Sequence, residues 1–532
     1  VGDIVALPSG AAGALEERRV TAVTNSTTIS ISATLSNGIT SVSATRKRVT
    51  ITDQNRNILL RKLQKNGIKT LKTEGNGGIS DSSIIIRRSF AGTSNSSGVV
   101  TFSASSNETF NAVSNTDFVL MISDAGSGSG ADGDIINLNG SGVTLSGFGT
   151  NAISVTAAGI LGNGAKVRLI ATITRTIVNE KSKTRNRMHQ VLVDNSAVAN
   201  YGQSAIHKDI SLAVADVHKL YAVFDSEDAS ANPTLPQWTV TGASGSFTKG
   251  ELITGGTTGS IARVINPISP VTFIPVNAIT FSAGETITGA ESSATATLDT
   301  FTDGSRDVTN DFVMDTGQRD NFYDVGRLVR KASAIAPTGR LLIVFDYFDH
   351  GSGDFFTVDS YSSINYKDIP IYTATRVDPE VAEPTGEYDL RDAVDFRPRV
   401  ANIATTTQTI QNQTTHKING MSFNFESRSF SGTGASTIDI PKDNSNFAYD
   451  FDFYVGRIDS LFLTAQGKFK VVSGTPSEDP IEPKPLDNAM HLCKINMNPF
   501  ILDINDADFT RINNRRYTMR DIGKLENRIN NI

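Results

Sequence analysis

Leu341-Leu-Ile-Val-Phe345 is an unbroken apolar run, closed on one side by Pro337, Thr338 and Gly339 and on the other by Asp349, His350 and Gly351. A short aliphatic run with one aromatic, bounded by turn formers, reads as a strand covered on both faces. Such a strand has no solvent side, so it fixes where a core must lie. Around it, between Asp303 and Arg399, stand Arg319, Asp320, Asp324, Arg327, Arg391, Asp392, Asp395, Arg397 and Arg399, interleaved with aromatics. A guanidinium is a planar fork that matches a carboxylate through paired hydrogen bonds. These charges satisfy one another better than they would a substrate. Arg319, Asp320, Asp324, Arg327, Asp395 and Arg397 are therefore expected to pin loops together as architecture.

Elsewhere the period is that of strands. In Lys166–Arg175, Val167, Leu169, Ala171 and Ile173 fall on one face, against mainly polar residues on the other. Ser82–Ser89, Gly98–Ser103, Asp117–Ser123, Met421–Phe425 and Leu461–Phe469 are further expected strands, and 126–133 is an exposed Gly/Ser loop. That loop lacks the Gly-Lys-Ser/Thr ending of a phosphate cradle. Phe247-Thr-Lys-Gly-Glu-Leu-Ile-Thr-Gly255 recurs as Phe281-Ser-Ala-Gly-Glu-Thr-Ile-Thr-Gly289. One hairpin cannot bury both its faces, so the two copies are expected to pack together, with Trp238 as a core anchor. The expected fold is mainly β: an elongated multidomain chain of small antiparallel sandwich or barrel-like modules with a C-terminal helical segment.

With 532 residues, core volume is not limiting. Gly is 44 and Pro only 17, a balance that suits many short strands and tight turns. The net charge of −6 is too mild to argue for nucleic acid, and the one Cys, Cys493, excludes an internal disulfide framework. Arg46, Lys47, Arg48, Arg56, Arg61, Lys62, Lys65, Lys69 and Lys72 gather with Asp53 as the sole acid, a pattern better suited to an acidic neighbour than to a nucleic-acid stripe. No apolar run is long enough to span a membrane. The Val1 start and the helical pattern at the end point to a portion of a longer polypeptide. In that last pattern Ile522, Leu525, Ile529 and Ile532 carry heptad spacing, the expected start of a helix or coiled coil shared with other subunits.

Gly304-Ser-Arg-Asp-Val-Thr-Asn-Asp-Phe312, Gly317-Gln-Arg-Asp-Asn-Phe-Tyr-Asp-Val-Gly-Arg327 and Val394-Asp-Phe-Arg-Pro398 resemble a domain of large virion structural proteins from contractile-tailed cyanobacterial phages. Those proteins belong to baseplate and tail-fibre regions, and the family has no established catalytic residues to carry over. The resemblance implies a virion component assembled in the host cytoplasm, with no cofactor. Its partners would be other tail or baseplate subunits and further copies of itself, a trimer being one candidate state. The expected division is 1–50, 51–160, 161–235, 236–300 for the repeat, 301–400 for the central domain, 401–480, and 481–532 for a proline linker and helix.

The best candidate for chemistry is Asp346, Asp349, His350 and Asp354, hard oxygens with one imidazole that could hold a divalent cation. Their spacing matches neither a calcium loop nor a zinc helix, and the plainer reading is a strand end with an Asp/Gly/Ser turn. No His adjoins a recognisable nucleophile motif. Two expectations follow: a non-enzymatic scaffold and subunit connector of a phage tail, or a carbohydrate-binding or carbohydrate-cleaving adhesin that meets a host-surface glycan.

Overall fold

The structure, a computed structural model, describes residues 4–8, 15–25, 28–31, 44–52, 59–62, 68–69, 83–112, 117–373, 387–423, 429–431, 439–442, 445–477, 479–501, 504, 507–513 and 519–530. For 4–52, 68–69, 431 and 446–454 it describes the backbone alone. The chain is mainly β, built of small antiparallel sheets with one closed barrel and, among the described residues, a single α-helix, Met519–Asn530.

The first module is a sandwich. Lys166–Arg175 lies between Ile84–Thr93 and Val119–Asp124, and Val99–Ser103, Ala152–Ala157 and Val143–Ser146 form the opposing sheet. Phe102, Phe110, Leu120, Ile153 and Leu169 fill the space between. The division expected at 160/161 does not hold: Lys166–Arg175 is a central strand of the sheet that Ile84–Thr93 belongs to. Its alternation of exposed and buried residues runs from Lys166 to Ala171, then the second side closes too, where Thr172 donates to the Asp117 carbonyl and Thr174 to the Asn111 side chain.

The Leu341–His350 strand is the centre of a second sheet. It runs antiparallel to Val217–Asp225 on one edge and Lys183–Val193 on the other, and Leu341 to Phe348 are all buried. Its two faces meet different cores. Leu341, Ile343 and Phe345 point to a small sheet made of Asp209–Ala215, Val325–Arg330 and Phe312–Asp315; Leu342 and Val344 point to the barrel through Ile265 and Ile274. Beyond Lys183–Val193 come Gln413–Ile418, parallel to it, and Thr405–Ile410. This Thr-rich hairpin turns at Gln411 and Asn412, both at positive φ, in a stretch whose apolar content is low.

The barrel is inserted between Asp225 and Arg306, whose strands pair with each other, so its two ends leave and return at one place. Its strands close in the order Gln237–Ser244, Val271–Pro275, Ile261–Asn266, Leu252–Gly255, Thr286–Gly289, Thr295–Thr302. The two copies of the repeat meet at Ile253↔Gly289, Thr254↔Thr288 and Gly255↔Ile287. Trp238 packs inside with Phe273 and Ile287.

The last third of the chain threads back through the rest. Ala393–Asp395 pairs with Leu60–Lys62, Ile440–Pro441 with Ile84–Thr93, and Asn446–Tyr454 with Ala44–Thr52. That last register sets Arg48 opposite Asp450 and Arg46 opposite Asp452, so an acidic strand of the same chain faces part of the basic stretch. The side chains of Arg46, Lys47 and Arg48, and all of Arg56, Lys65 and Lys72, lie outside the described residues. Leu461–Phe469 is not one strand: Arg457–Thr464 ends, turns at Ala465–Gly467, and returns as Phe469–Val472. Met421 to Phe423 are loop, and residues 424–425 lie outside the described set. A coiled coil needs a second helix, and the described residues contain none, so that expectation is not met within the chain. Among the described residues no helix is long and apolar enough to cross a membrane; strands are not covered by that statement.

Candidate functional site

Where the sandwich, the central sheet and the 316–324 loop converge, the interior is ionic. Lys183 opens its strand with its side chain wholly buried. Its Nζ donates to Asp216 Oδ2 at 2.8 Å and to the hydroxyls of Tyr323 and Tyr361 at 2.9 Å each. The ammonium also lies over the rings of Tyr323, at 4.2 Å, and of Phe356 and Tyr361, at 4.7 Å. Asp216 occupies a tight corner between two strands at φ 56°, and its Oδ2 also meets His350 Nε2 at 2.7 Å.

A second pair abuts the first. Arg397, fully buried, donates from Nε and Nη2 to the two oxygens of Asp395 at 3.0 and 2.9 Å, from Nη1 to the Arg319 carbonyl at 2.9 Å, and from Nη2 to the Tyr323 hydroxyl at 3.0 Å. The Tyr323 hydroxyl in turn donates to Asp395, so this one group joins both pairs.

Burial governs the electrostatics. It pushes the Lys183 amine down, opposed by Asp216 and Asp395, and pushes the Tyr323 and Tyr361 hydroxyls well up. Burial alone would raise Asp216, but Lys183 and His350 outweigh it and hold that carboxyl well below its usual range. Arg397 does the same for Asp395. Burial drives His350 down to about 4 despite Asp216, so near neutrality it is an uncharged hydrogen-bond partner. Two cations thus face two anions, with hydroxyls and aromatic rings between them. A lysine displaced downward by burial is also how catalytic amines are made. Here its three protons are committed to three acceptors inside a closed ring cage, an arrangement that holds parts in place.

Two more networks continue the pattern. Glu108 accepts from Arg88 at 2.8 Å and from Arg175 at 2.5 and 2.8 Å, and Asp439 accepts from both arginines, at 2.6 Å from Arg88 and 2.7 Å from Arg175. Arg185 bonds Asp346 at 2.7 Å, and Tyr221 and the Met188 amide complete that carboxylate.

Of the expected architectural residues, Arg319 and Arg327 converge on Asp324, and Arg397 pairs with Asp395. Arg319 pairs with Asp315 and stands 3.9 Å from Asp324; Arg327 reaches Asp324 at 3.4 Å; Asp320 accepts from the Tyr372 hydroxyl at 2.6 Å. The expected cation ligands do not come together. Asp346 goes to Arg185, Asp349 to Arg399 and Asn186, His350 to Asp216, and Asp354 to Arg175 and the Asn179 amide. Among the described residues no three His, Cys, Asp or Glu are arranged to hold an ion. Sequence reasoning missed Lys183, Asp216, Tyr361 and Glu108. Asp216 did carry a signal, as the lone acid in Ile210-Ser-Leu-Ala-Val-Ala-Asp-Val217, since buried carboxylates are almost always paired. Lys183, among Lys181, Ser182, Thr184 and Arg185, carried none.

Residues 390–532 match a protein-family model described as a domain of unknown function, DUF4815. Comparison with curated proteins and with solved structures gave no match. The matched segment contains Asp395 and Arg397, whereas Lys183, Asp216 and Tyr323 precede it.

Proposed function

We propose that this chain is a non-enzymatic structural component of a tailed-phage virion, in the baseplate or the tail-fibre attachment, that acts as scaffold and subunit connector. The observation that supports it is the set of buried ionic networks around Glu108, Lys183 and Arg397, which hold together residues distant in the chain at fixed positions. Rigid spacing between modules is what a connector supplies, and paired buried charges set geometry because a misplaced partner leaves an uncompensated ion. In this reading the charged loop around Arg319, Asp320, Asp324 and Arg327 fixes modules within the subunit, and the C-terminal segment meets other tail subunits and further copies of the chain. Antibodies raised against the chain and applied to purified particles of the encoding phage test it by electron microscopy. Label at the tail end is expected; intact particles that lack the chain would overturn the reading.

A further inference from the structure

The Lys183 amine and the Asp216 carboxylate are the two reactants of an amide, held in contact inside the protein. Nζ stands 2.8 Å from Oδ2, and the two side chains are 0% and 2% exposed. Lys183 begins the strand on one edge of Leu341–His350, opposite His350 itself. Asp216 directly precedes the strand on the other edge, and its carbonyl accepts from the Phe348 amide at 3.0 Å. The two side chains therefore meet across the end of the central strand. Tyr323, Phe348, Phe356 and Tyr361, all buried, wall the contact in.

An ammonium has no lone pair and a carboxylate resists attack, so the ion pair itself is inert. One proton passed along the 2.8 Å hydrogen bond makes a free amine and a carboxylic acid, the two forms that react. Exclusion of water favours that transfer, since the charged forms lose their hydration and burial pushes the amine down. The fold also fixes the approach, and well-oriented groups reach effective concentrations of about 10⁵–10⁸ M. A proton path is in place as well. The Tyr323 hydroxyl bonds Nζ at 2.9 Å and donates to Asp395, and His350 Nε2, 2.7 Å from Oδ2, holds that oxygen in position.

We propose that Lys183 and Asp216 condense to an intramolecular amide, a covalent crosslink between the strands on either side of Leu341–His350. The Nζ lone pair attacks Cγ, the N–Cγ bond forms, and the Cγ–Oδ2 bond breaks. Of the three ammonium protons, one stays on the amide nitrogen and two leave on Oδ2 as water. The first of these crosses directly to Oδ2; the second is held by Asp395 through the Tyr323 hydroxyl and given back as the bond breaks. Nothing is oxidised or reduced, and no further reactant takes part. The product is uncharged, so the desolvation that opposes burying each ion no longer applies. The crosslink is independent of the virion reading, and either can fail alone.

Intact mass spectrometry of the purified full chain, unfolded just before measurement, tests it. The wild-type chain is expected to weigh one water less than its sequence. Trypsin is expected to release a branched peptide in which residues 182–185 are joined to 209–219 through Lys183 and Asp216. Lys183→Met should keep its full mass. The wild-type measurement decides alone, whatever the variant does to folding. A wild-type chain of full mass leaves only an ion pair and overturns the proposal. So does a water lost elsewhere and not between these two residues, as in closure of the exposed Asp132 side chain on the Gly133 amide.

Discussion

Lys183 and Asp216 are each too costly to bury alone; together, with two hydroxyls and an imidazole, they are a balanced unit. Lys183→Met would leave Asp216 buried beside an uncharged His350. A loss of about 3–5 kcal/mol in urea unfolding is expected, and the Lys183→Met/Asp216→Asn double variant should lose clearly less than the sum of the single changes. Full additivity would mean the two do not act as a pair. The histidines set a pH limit. Burial puts His350 at about 4 and His189 at about 3, the latter also facing the stacked His416 ring at 4.6 Å and the Lys249 charge. Phe345 and Tyr347 complete the walls around His189. Folded values below the unfolded value of about 6.5 mean that the unfolded chain binds more protons. The contribution is therefore complete above about pH 6.5 and is lost as pH falls towards the folded values, at about 1.4 kcal/mol per unit for each histidine. The carboxylates held low by their partners lose theirs only below about pH 4. Urea midpoints at pH 7 and pH 5 should show the fall, and His189→Phe, which keeps an aromatic in the stack, should remove part of it, since burial lowers His218 and His416 as well. An unchanged slope would place the titration elsewhere.

At the scale of elements, the repeat shows what one recurring residue does. Glu251 accepts from the Thr248 amide in its own turn and from the Glu291 and Ser292 amides after the other copy's strand. Glu285 accepts from Ser282 in its own turn and from Thr257 and Thr258 after the first copy's strand. Each copy thus caps the loop of the other, which is why the acid recurs at the same place. Glu251→Ala would leave three half-buried amides without their acceptor, at about 1 kcal/mol each. Faster hydrogen exchange is expected at residues 290–293, with residues 257–260 protected as before; Glu285→Ala should give the mirror result. Equal loosening of both loops would argue that the copies are not reciprocally capped. The pairing of the copies was legible in the sequence because it rests on a local motif repeated at fixed spacing. The double burial of Leu341–Phe345 was legible because it rests on an unbroken apolar run. The edge hairpin of Thr405–Ile410 and Gln413–Ile418 was not, since exposed edge strands need no apolar alternation. Nor was the assignment of Asp346, Asp349, His350 and Asp354 to separate partners, since Arg185, Arg399, Asp216 and Arg175 come from distant parts of the chain.

For the whole molecule, the segment that carries a family match is not a separable globule. Ala393–Asp395, Gln413–Ile418, Ile440–Pro441 and Asn446–Tyr454 take their partners from Leu60–Lys62, Lys183–Val193, Ile84–Thr93 and Ala44–Thr52. Asp439 closes an ion network with Arg88, Glu108 and Arg175 of the first sandwich. Cut out alone, 390–532 would expose unpaired strand edges and leave Arg397 without the Tyr323 hydroxyl and the Arg319 carbonyl. The barrel is the reverse case, with six strands closed on one another, a core of its own, and ends that leave and return where Phe224 and Asp225 pair with Asp307 and Arg306. Residues 390–532 expressed alone are therefore expected to give poorly dispersed amide spectra and no cooperative unfolding, while 233–305 expressed alone should melt in a single transition. A cooperatively folded 390–532 fragment would show that its cross-chain pairings are dispensable, and the modules would then be beads on a string, not one interlocked body.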